Sequence, residues 1–173
     1  MVEAEEAKAG FASSRLDMAR FSLIMVFLVG QRWRYVIEKE LEPDGITAKQ
    51  WLMAIVVANG FKTPPSIQEV ADALSNTHQN VKQIADGMEK RGFMRLWRDE
   101  KNKRIIRMQV TDKCIALFKD REEKDVQSIF SMFENLTDEE MGALFGIIAK
   151  IEHRASQLYE NAKAARSGRV KED

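Results

Sequence analysis

The stretch from Thr77 to Gly92, THQNVKQIADGMEKRG, decides the fold. Its apolar residues recur at intervals of three and four, which predicts a helix with one narrow buried stripe. Thr77 is a capping residue at the front of this helix, and Gly92 is a stop signal at its end. The predicted stripe consists of Val81, Ile84, Ala85 and Met88. The opposite face is rich in amides and basic side chains, which suit contacts to base edges and phosphates in a DNA groove.

A second, shorter helix precedes this one. Ser66-Ile-Gln-Glu69 has the spacing of a capping box, in which a serine and a glutamate satisfy each other's backbone amides. The helix that it opens places Ile67, Val70 and other apolar residues on one side, and Ser75-Asn76 makes the turn before Thr77. Two short helices joined by a tight turn, the second polar at its front, are typical of a helix-turn-helix.

After Gly92 the period of the sequence changes from helical to strand-like. The segments 93–98 and 105–110 have the composition of strands, and a short polar segment, DEKNKR (99–104), separates them. This pattern predicts a hairpin with a charged tip, a wing. In the second strand Arg107 and Gln109 alternate with apolar residues, so one face of the hairpin is expected to be buried.

Long helices are predicted on both sides of this unit. A helix over about residues 12–41 is apolar nearly all round between Phe21 and Gly30, so a partner subunit is expected to cover it. Thr47-Ala-Lys-Gln50, Thr111 and Thr137 open further helices, the last of which runs to about residue 160. We therefore predict an N-terminal dimerisation helix at 11–45, a DNA-binding domain at 46–111, C-terminal dimerisation helices at 112–160, and loose tails at 1–10 and 161–173. The fold class is mainly α, a winged helix-turn-helix with a two-stranded wing flanked by N- and C-terminal dimerisation helices.

Composition restricts the classes of function. Net charge is zero, with 27 basic and 27 acidic residues, so a role with nucleic acid depends on local charge. Between His78 and Arg107, nine Lys or Arg oppose four acids, a local excess of +5. One cysteine and two histidines make a disulfide framework or a metal site unexpected, and no cofactor is expected. The sequence also shows no acid/base pair or phosphate loop of an enzyme, and no signal peptide or membrane span, so a soluble cytoplasmic protein is expected.

The order of these motifs resembles the MarR (multiple antibiotic resistance regulator) family of winged-helix transcription factors. The resemblance covers about residues 15–160. Its motifs are ITAKQW (46–51), VADALSNTHQNV (70–81) with MEKRGF (88–93), and RDEKNKR (98–104) with VTDK (110–113). The family usually has Asp-Arg-Arg where this chain has Asn102-Lys103-Arg104, so the carboxylate expected to brace the wing arginine is missing here. The resemblance implies a homodimer that binds pseudo-palindromic double-stranded DNA and is often released by a small ligand.

The predicted DNA-binding residues lie on the second helix and on the wing. The front of the helix is expected to contact bases or phosphates, Lys82 to neutralise phosphate, and the wing to grip the flanking backbone or minor groove. The alternatives are a winged-helix protein-interaction module, or a structural dimer without a ligand response. The predicted residues are Thr77, His78, Gln79, Asn80, Lys82, Gln83, Lys101, Asn102, Lys103 and Arg104.

A small aromatic or anionic effector is the second predicted partner. Trp33, Tyr35, Trp51 and Met53 are candidates to line a cavity between the dimerisation helices and the DNA-binding domain, where the family often binds aromatic acids or phenols. Arg32 or Arg34 would pair with an anionic group. The alternative is that the aromatic residues are core and the arginines surface. The predicted ligand-binding residues are Arg32, Trp33, Arg34 and Trp51.

Three reactive side chains have alternative interpretations. Cys114 is either a peroxide sensor or a small packing residue, and its place at the start of the helix after the wing favours packing. His78 is either a pH-sensitive or DNA-contacting group or an exposed residue at the start of a helix, and the second interpretation is favoured. His153 is expected to be an ordinary surface or interface histidine.

Overall fold

The computed structural model of the protein describes residues 14–169, and it confirms the predicted mainly α fold with a two-stranded antiparallel sheet. The chain divides into two compact units, with the boundary inside the second helix, after Met53. The helices are α1 (Arg15–Leu41), α2 (Ala48–Asn59), α3 (Ile67–Ala73), α4 (His78–Lys90), α5 (Asp112–Phe133) and α6 (Asp138–Arg169), and the strands are β1 (Met94–Arg98) and β2 (Ile106–Val110). The predicted tail at 1–10 lies outside the described residues.

The first unit contains α1 and the start of α2. Ser14 caps α1 by accepting a hydrogen bond from the Asp17 amide, 3.2 Å away. A one-turn 3-10 helix, Glu42–Asp44, then leads to Thr47, whose hydroxyl accepts from the Gln50 amide. The reciprocal bond from the Thr47 amide to the Gln50 side chain completes the predicted cap of α2. Short polar side chains thus fix both helix starts.

The helix-turn-helix lies in the second unit. Ser66 and Glu69 form the predicted capping box at the front of α3, and Thr77 caps α4 by accepting from the Asn80 amide. The turn between the helices includes Ser75 in the left-handed region, with φ of 49°. The two helices pack on each other and bury their apolar stripes. The fully buried residues are Ile67, Val70 and Ala71 on α3, and Val81, Ala85 and Met88 on α4.

A glycine stop turns the chain from α4 into the wing. Gly92 has φ of 74°, its amide donates to the Glu89 carbonyl, and the Phe93 amide donates to the Met88 carbonyl. These bonds satisfy carbonyls at the end of the helix, and glycine adopts this backbone conformation without a steric penalty. Strands β1 and β2 then pair antiparallel from Met94–Val110 to Arg98–Ile106.

The segment before α3 pairs briefly with strand β2 of the wing. The Met108 amide donates to the Pro65 carbonyl at 2.9 Å, and Ser66 forms an isolated bridge with Arg107. Met108 and Pro65 are both buried. The wing is therefore tied at its base to the residues that start α3, and the position of the hairpin depends on that contact.

The last helix is longer than the sequence predicts. Residues 161–173 were expected to be a loose tail, but α6 continues to Arg169, and residues 170–173 lie outside the described part of the chain. Alanines and long-chain polar residues after Glu160 are good helix formers, which favours continuation. Lys163 on this extension forms an ion pair with Asp72 of α3, so a tertiary contact also stabilises it.

Apolar side chains remain exposed on three helices. Phe27 on α1, Phe130 on α5 and Phe145 on α6 are 65%, 74% and 75% exposed. A folded monomer rarely leaves so many large apolar residues in water without a partner for them. Among the described helices, none contains a stretch long and apolar enough to cross a membrane.

Candidate nucleic-acid interface

The first turn of α4 uses two of the predicted contact residues to build itself. The Thr77 hydroxyl accepts from the Asn80 amide at 3.2 Å. The Asn76 side-chain oxygen accepts both from the Thr77 amide at 2.8 Å and from the Asn80 side-chain amide at 2.9 Å. Thr77 and Asn80 therefore set the start and orientation of the helix, whatever else they contact.

Lys82 is neutralised within its own helix. Its ammonium group forms an ion pair with the Asp86 carboxylate one turn further on, and both side chains are about one-third to two-fifths exposed. Sequence analysis assigned Lys82 to phosphate, and that assignment stays a prediction. The pair means that any phosphate contact of Lys82 competes with Asp86.

Two glutamines are among the free hydrogen-bonding groups of α4. Gln79 and Gln83 are exposed, and their side chains make no hydrogen bond with any described residue. They are four residues apart, so they lie on the same face of the helix one turn apart. His78 is exposed next to Gln79. This face therefore presents amide donors and acceptors, the groups that suit readout of base edges.

The wing tip presents its basic side chains to solvent while its backbone is fixed. One Asp99 carboxylate oxygen accepts from the amides of Lys101 at 2.9 Å and Asn102 at 3.0 Å. The Asn102 side-chain oxygen in turn accepts from the Arg104 amide at 3.1 Å. The four predicted tip residues, Lys101, Asn102, Lys103 and Arg104, are all exposed. The loop geometry is thus held by local side-chain to backbone bonds, which leave the cations available.

A brace on the wing comes from Arg107, a residue that sequence analysis did not assign to the site. Its Nε donates to the second Asp99 oxygen at 3.0 Å, and its Nη1 donates to Glu69 at 3.0 Å and to the Pro64 carbonyl at 3.2 Å. The expectation that Asn102 leaves the wing without a carboxylate–arginine brace is therefore wrong, because Asp99 supplies the carboxylate. Arg107 is the second residue of β2 and lies 38 positions from Glu69, so no local pattern marks the partnership.

The brace shifts the acid–base equilibria of both carboxyl groups. The Arg107 guanidinium, followed by the Asn102 amide, lowers the pKa of Asp99 below its ordinary value. The pKa of Glu69 is lowered chiefly by hydrogen bonds from the Ser66 amide and hydroxyl, with Arg107 adding to the effect. Both carboxylates are therefore held in the charged form that the wing contacts require.

A cavity of about 390 Å³ lies in the first unit, and two of the predicted aromatic and basic residues line it. Arg34 and Tyr35 face it with Glu38, Thr47 and Lys49. Of the other candidates, Arg32, Trp33 and Trp51 are not among its described lining residues, and Met53 is fully buried in the core. Arg34 and Lys49 give the cavity two cations and Tyr35 gives it a ring, which suits an aromatic anion.

Cys114 and His153 are not part of the candidate interface. Cys114 is fully buried, and burial raises the pKa of its thiol, so the nucleophilic thiolate is disfavoured. His153 is exposed on α6, with one ring nitrogen 3.1 Å from the Gln157 side chain. Among the described residues, no three His, Cys, Asp or Glu side chains are grouped so as to hold a metal ion.

Comparison with solved structures finds this architecture among transcriptional regulators. A MarR protein from Peptoclostridium difficile is 16% identical, with a TM-score of 0.73 over 88% of this chain and 95% of that one. The transcriptional regulator SlyA is 17% identical, with a TM-score of 0.71 over 80% and 96%. The chain has the fold of the MarR and SlyA regulators. No protein-family model matches its sequence.

A third similar structure includes a nucleic acid. It is a mutant of MarR from E. coli in complex with operator DNA, 17% identical, with a TM-score of 0.68 over 80% of this chain and 99% of that one. At these identities the similarity shows a shared winged-helix fold. The DNA-facing residues of this chain have to be argued from its own side chains.

Proposed function

We propose that this protein is a cytoplasmic, sequence-specific DNA-binding regulator of transcription of the MarR type, acting as a repressor. The observation that carries the proposal is the pairing of two surfaces in one fold. Gln79 and Gln83 offer unpaired amides on α4, and Lys103 and Arg104 offer exposed cations on a braced wing. Amides suit base edges and cations suit phosphates. The operator complex of a similar structure supports the use of this fold on DNA.

The active form is proposed to be a homodimer. Large apolar residues of α1, α5 and α6 stay exposed to solvent in the described part of the chain, and a second copy offers the same apolar faces in return. A two-fold dimer would present two α4 helices to successive major grooves about 34 Å apart, and this predicts a pseudo-palindromic operator. Size measurement in solution tests the dimer directly, because a stable monomer at micromolar concentration contradicts it.

An effector is proposed for the cavity lined by Arg34 and Tyr35. An aromatic carboxylate would pair with Arg34 or Lys49 and stack on the ring of Tyr35. Salicylate-like compounds are therefore expected to raise the melting temperature and to release operator DNA. An Arg34→Met variant should lose this response, whereas Arg154→Met, on the exposed face of α6, should keep it. A wild-type protein that responds to none of a broad panel contradicts the effector and leaves the DNA proposal intact.

The experiment that tests the proposed function is footprinting on the DNA upstream of the gene, with gel shift on the protected fragment. A regulator of this type protects two half-sites separated by one helical turn, and its affinity falls as salt rises. A protein-interaction winged helix would bind that DNA no better than a scrambled fragment. Equal binding to both fragments at moderate salt overturns sequence-specific recognition. Reporter expression in the presence and absence of the protein distinguishes a repressor from an activator.

A further inference from the structure

A second cavity, of about 330 Å³, lies in the second unit at the base of the wing. It is bounded by the end of α2, the segment 61–65, strand β2 and the first turn of α5. This volume is at the lower end of the range for small-molecule sites in proteins, so the cavity suits a small ligand. It shares no lining residue with the Arg34 cavity.

One part of the cavity wall is formed by apolar side chains, some of them partly exposed. Phe61 and Val110 are half-buried, while Ile115 is 53% exposed to solvent. Met108 and Pro65, both buried, also line it. A ligand with an apolar body would remove these apolar side chains from water, which favours binding.

Two opposite charges lie at the mouth of the same cavity without pairing. Lys62 and Asp112 line it, and both residues are exposed. Neither side chain forms an ion pair or hydrogen bond with the other or with any described residue. The Gln109 side chain, which also lines the cavity, likewise makes no hydrogen bond in the described part of the chain. The mouth therefore offers one cation, one anion and one amide to whatever enters.

We propose that this cavity binds a free α-amino acid with an apolar side chain. The ligand carboxylate pairs with Lys62, its ammonium group pairs with Asp112, and its side chain lies against Phe61 and Ile115. A molecule with only one charge would satisfy only one of the two groups. A charged molecule without an apolar body would leave the walls in water. The lining therefore favours a ligand that has both charges and an apolar side chain.

Occupancy of the cavity would act on the wing through the segment before α3. Pro64 and Pro65 line the cavity, and their carbonyls accept hydrogen bonds from Arg107 at 3.2 Å and from the Met108 amide at 2.9 Å. A ligand seated there contacts the same segment that anchors the brace. A change in operator affinity on binding rests on the proposed function, whereas binding itself does not.

The test is titration calorimetry on the full chain with phenylalanine and three analogues that each lack one feature. Phenethylamine lacks the carboxylate, 3-phenylpropionate lacks the ammonium group, and glycine lacks the apolar side chain. Phenylalanine is expected to bind at millimolar concentration, about fivefold more tightly than either single-charge analogue, which is the size expected of one exposed ion pair. Glycine is expected not to bind detectably.

Two variants assign the charges to the residues. Lys62→Met should abolish the preference for phenylalanine over phenethylamine, and Asp112→Asn should abolish its preference over 3-phenylpropionate. Lys90→Met, on the exposed end of α4, is the matched control and should change neither preference. Circular dichroism verifies that all three are folded. Absence of phenylalanine binding at about 10 mM, or preferences that survive both substitutions, overturns the proposal.

A gel shift with and without phenylalanine then separates the two proposals. If the protein binds amino acid but no operator, the cavity proposal stands and the proposed function fails. If it binds operator but no amino acid, the proposed function stands and the cavity proposal fails.

Discussion

Helix α4 and the wing tip both present polar side chains to solvent, but they differ in which of their charged groups are paired. Near the front of α4 the cation Lys82 is paired with Asp86, and the unpaired groups include the neutral amides of Gln79 and Gln83. At the wing tip the acid Asp99 is occupied by backbone amides and Arg107, which leaves Lys103 and Arg104 exposed. If the protein binds DNA as proposed, this difference predicts that the helix provides sequence selectivity and the wing provides electrostatic attraction, and each part of that prediction has its own test.

Removing both glutamines of α4 is expected to have the largest effect. A Gln79→Ala/Gln83→Ala variant should bind its operator at least about 30-fold more weakly, because two good side-chain contacts to bases contribute about 1–3 kcal/mol each. Affinity for scrambled DNA should barely change. The measurement is gel shift on both fragments at one salt concentration. Gln127→Ala, an exposed glutamine on α5, is the control. An equal loss on both fragments would mean that the glutamines do not read sequence.

Removing the two wing cations is expected to weaken binding to all DNA. A Lys103→Ala/Arg104→Ala variant should lose about tenfold in affinity for operator and scrambled fragments alike, and the slope of log affinity against log salt should fall by about 1.8 per subunit, or about 3.6 for the proposed dimer. The measurement is fluorescence anisotropy over a salt series. Lys119→Ala/Lys124→Ala removes two exposed cations from α5 and should leave the slope unchanged. Operator binding and a salt slope like those of the wild type would contradict the assignment of the wing to DNA contact.

Removing the ion-pair partner of Lys82 should increase the sequence-independent attraction of α4 to DNA. Asp86→Asn removes this ion-pair partner, so affinity for scrambled DNA is expected to rise about threefold and the salt slope to steepen by up to about 0.9 per subunit, or about 1.8 for the proposed dimer. The same anisotropy series measures both quantities. Adding Lys82→Met to the variant should cancel the gain, and Asp120→Asn on α5 should give none. A gain that persists without Lys82 would show that Asp86 acts by general repulsion instead.

The smallest expected effect is on the acid stability of the brace. The folded-state pKa values of Asp99 and Glu69 lie below their unfolded values, so their contribution to stability is complete above the unfolded pKa values of about 4 and is lost as pH falls through the folded values. The melting temperature of Asp99→Asn should therefore fall less between about pH 6 and about pH 3 than that of wild type, since these carboxyl groups are charged at the higher pH and mostly neutral at the lower pH in the unfolded chain. Asp120→Asn is the control, and an Asp99→Asn curve parallel to wild type would contradict the brace.

Local patterns in the sequence predicted most of the fold. The capping residues Ser66 and Thr77, the stop at Gly92 and the two short strands all lie where the sequence predicted them, because each depends on residues at most four positions away. The end of α6 was predicted too early. A basic segment with a glycine and a serine is typical of a tail, whereas the contact between Lys163 and Asp72 spans 91 residues.

The exposed amides and cations of the candidate interface were predicted, but the ion pairs around them were not. The sequence alone located the amides of α4 and the exposed cations of the wing, since helix faces and hairpin tips follow from the period of the chain. The tertiary structure determined the ion pairs of Asp99 and Arg107. The partners of Arg107 include Glu69 and the Pro64 carbonyl.

The sequence by itself therefore determined the order of the elements, their caps and the residue types on each surface, because these depend on near neighbours along the chain. Only the tertiary structure decided how the wing is braced, how far α6 extends, and that Lys62 and Asp112 border one cavity. Those features join residues tens of positions apart, and a sequence period carries no information about such distances.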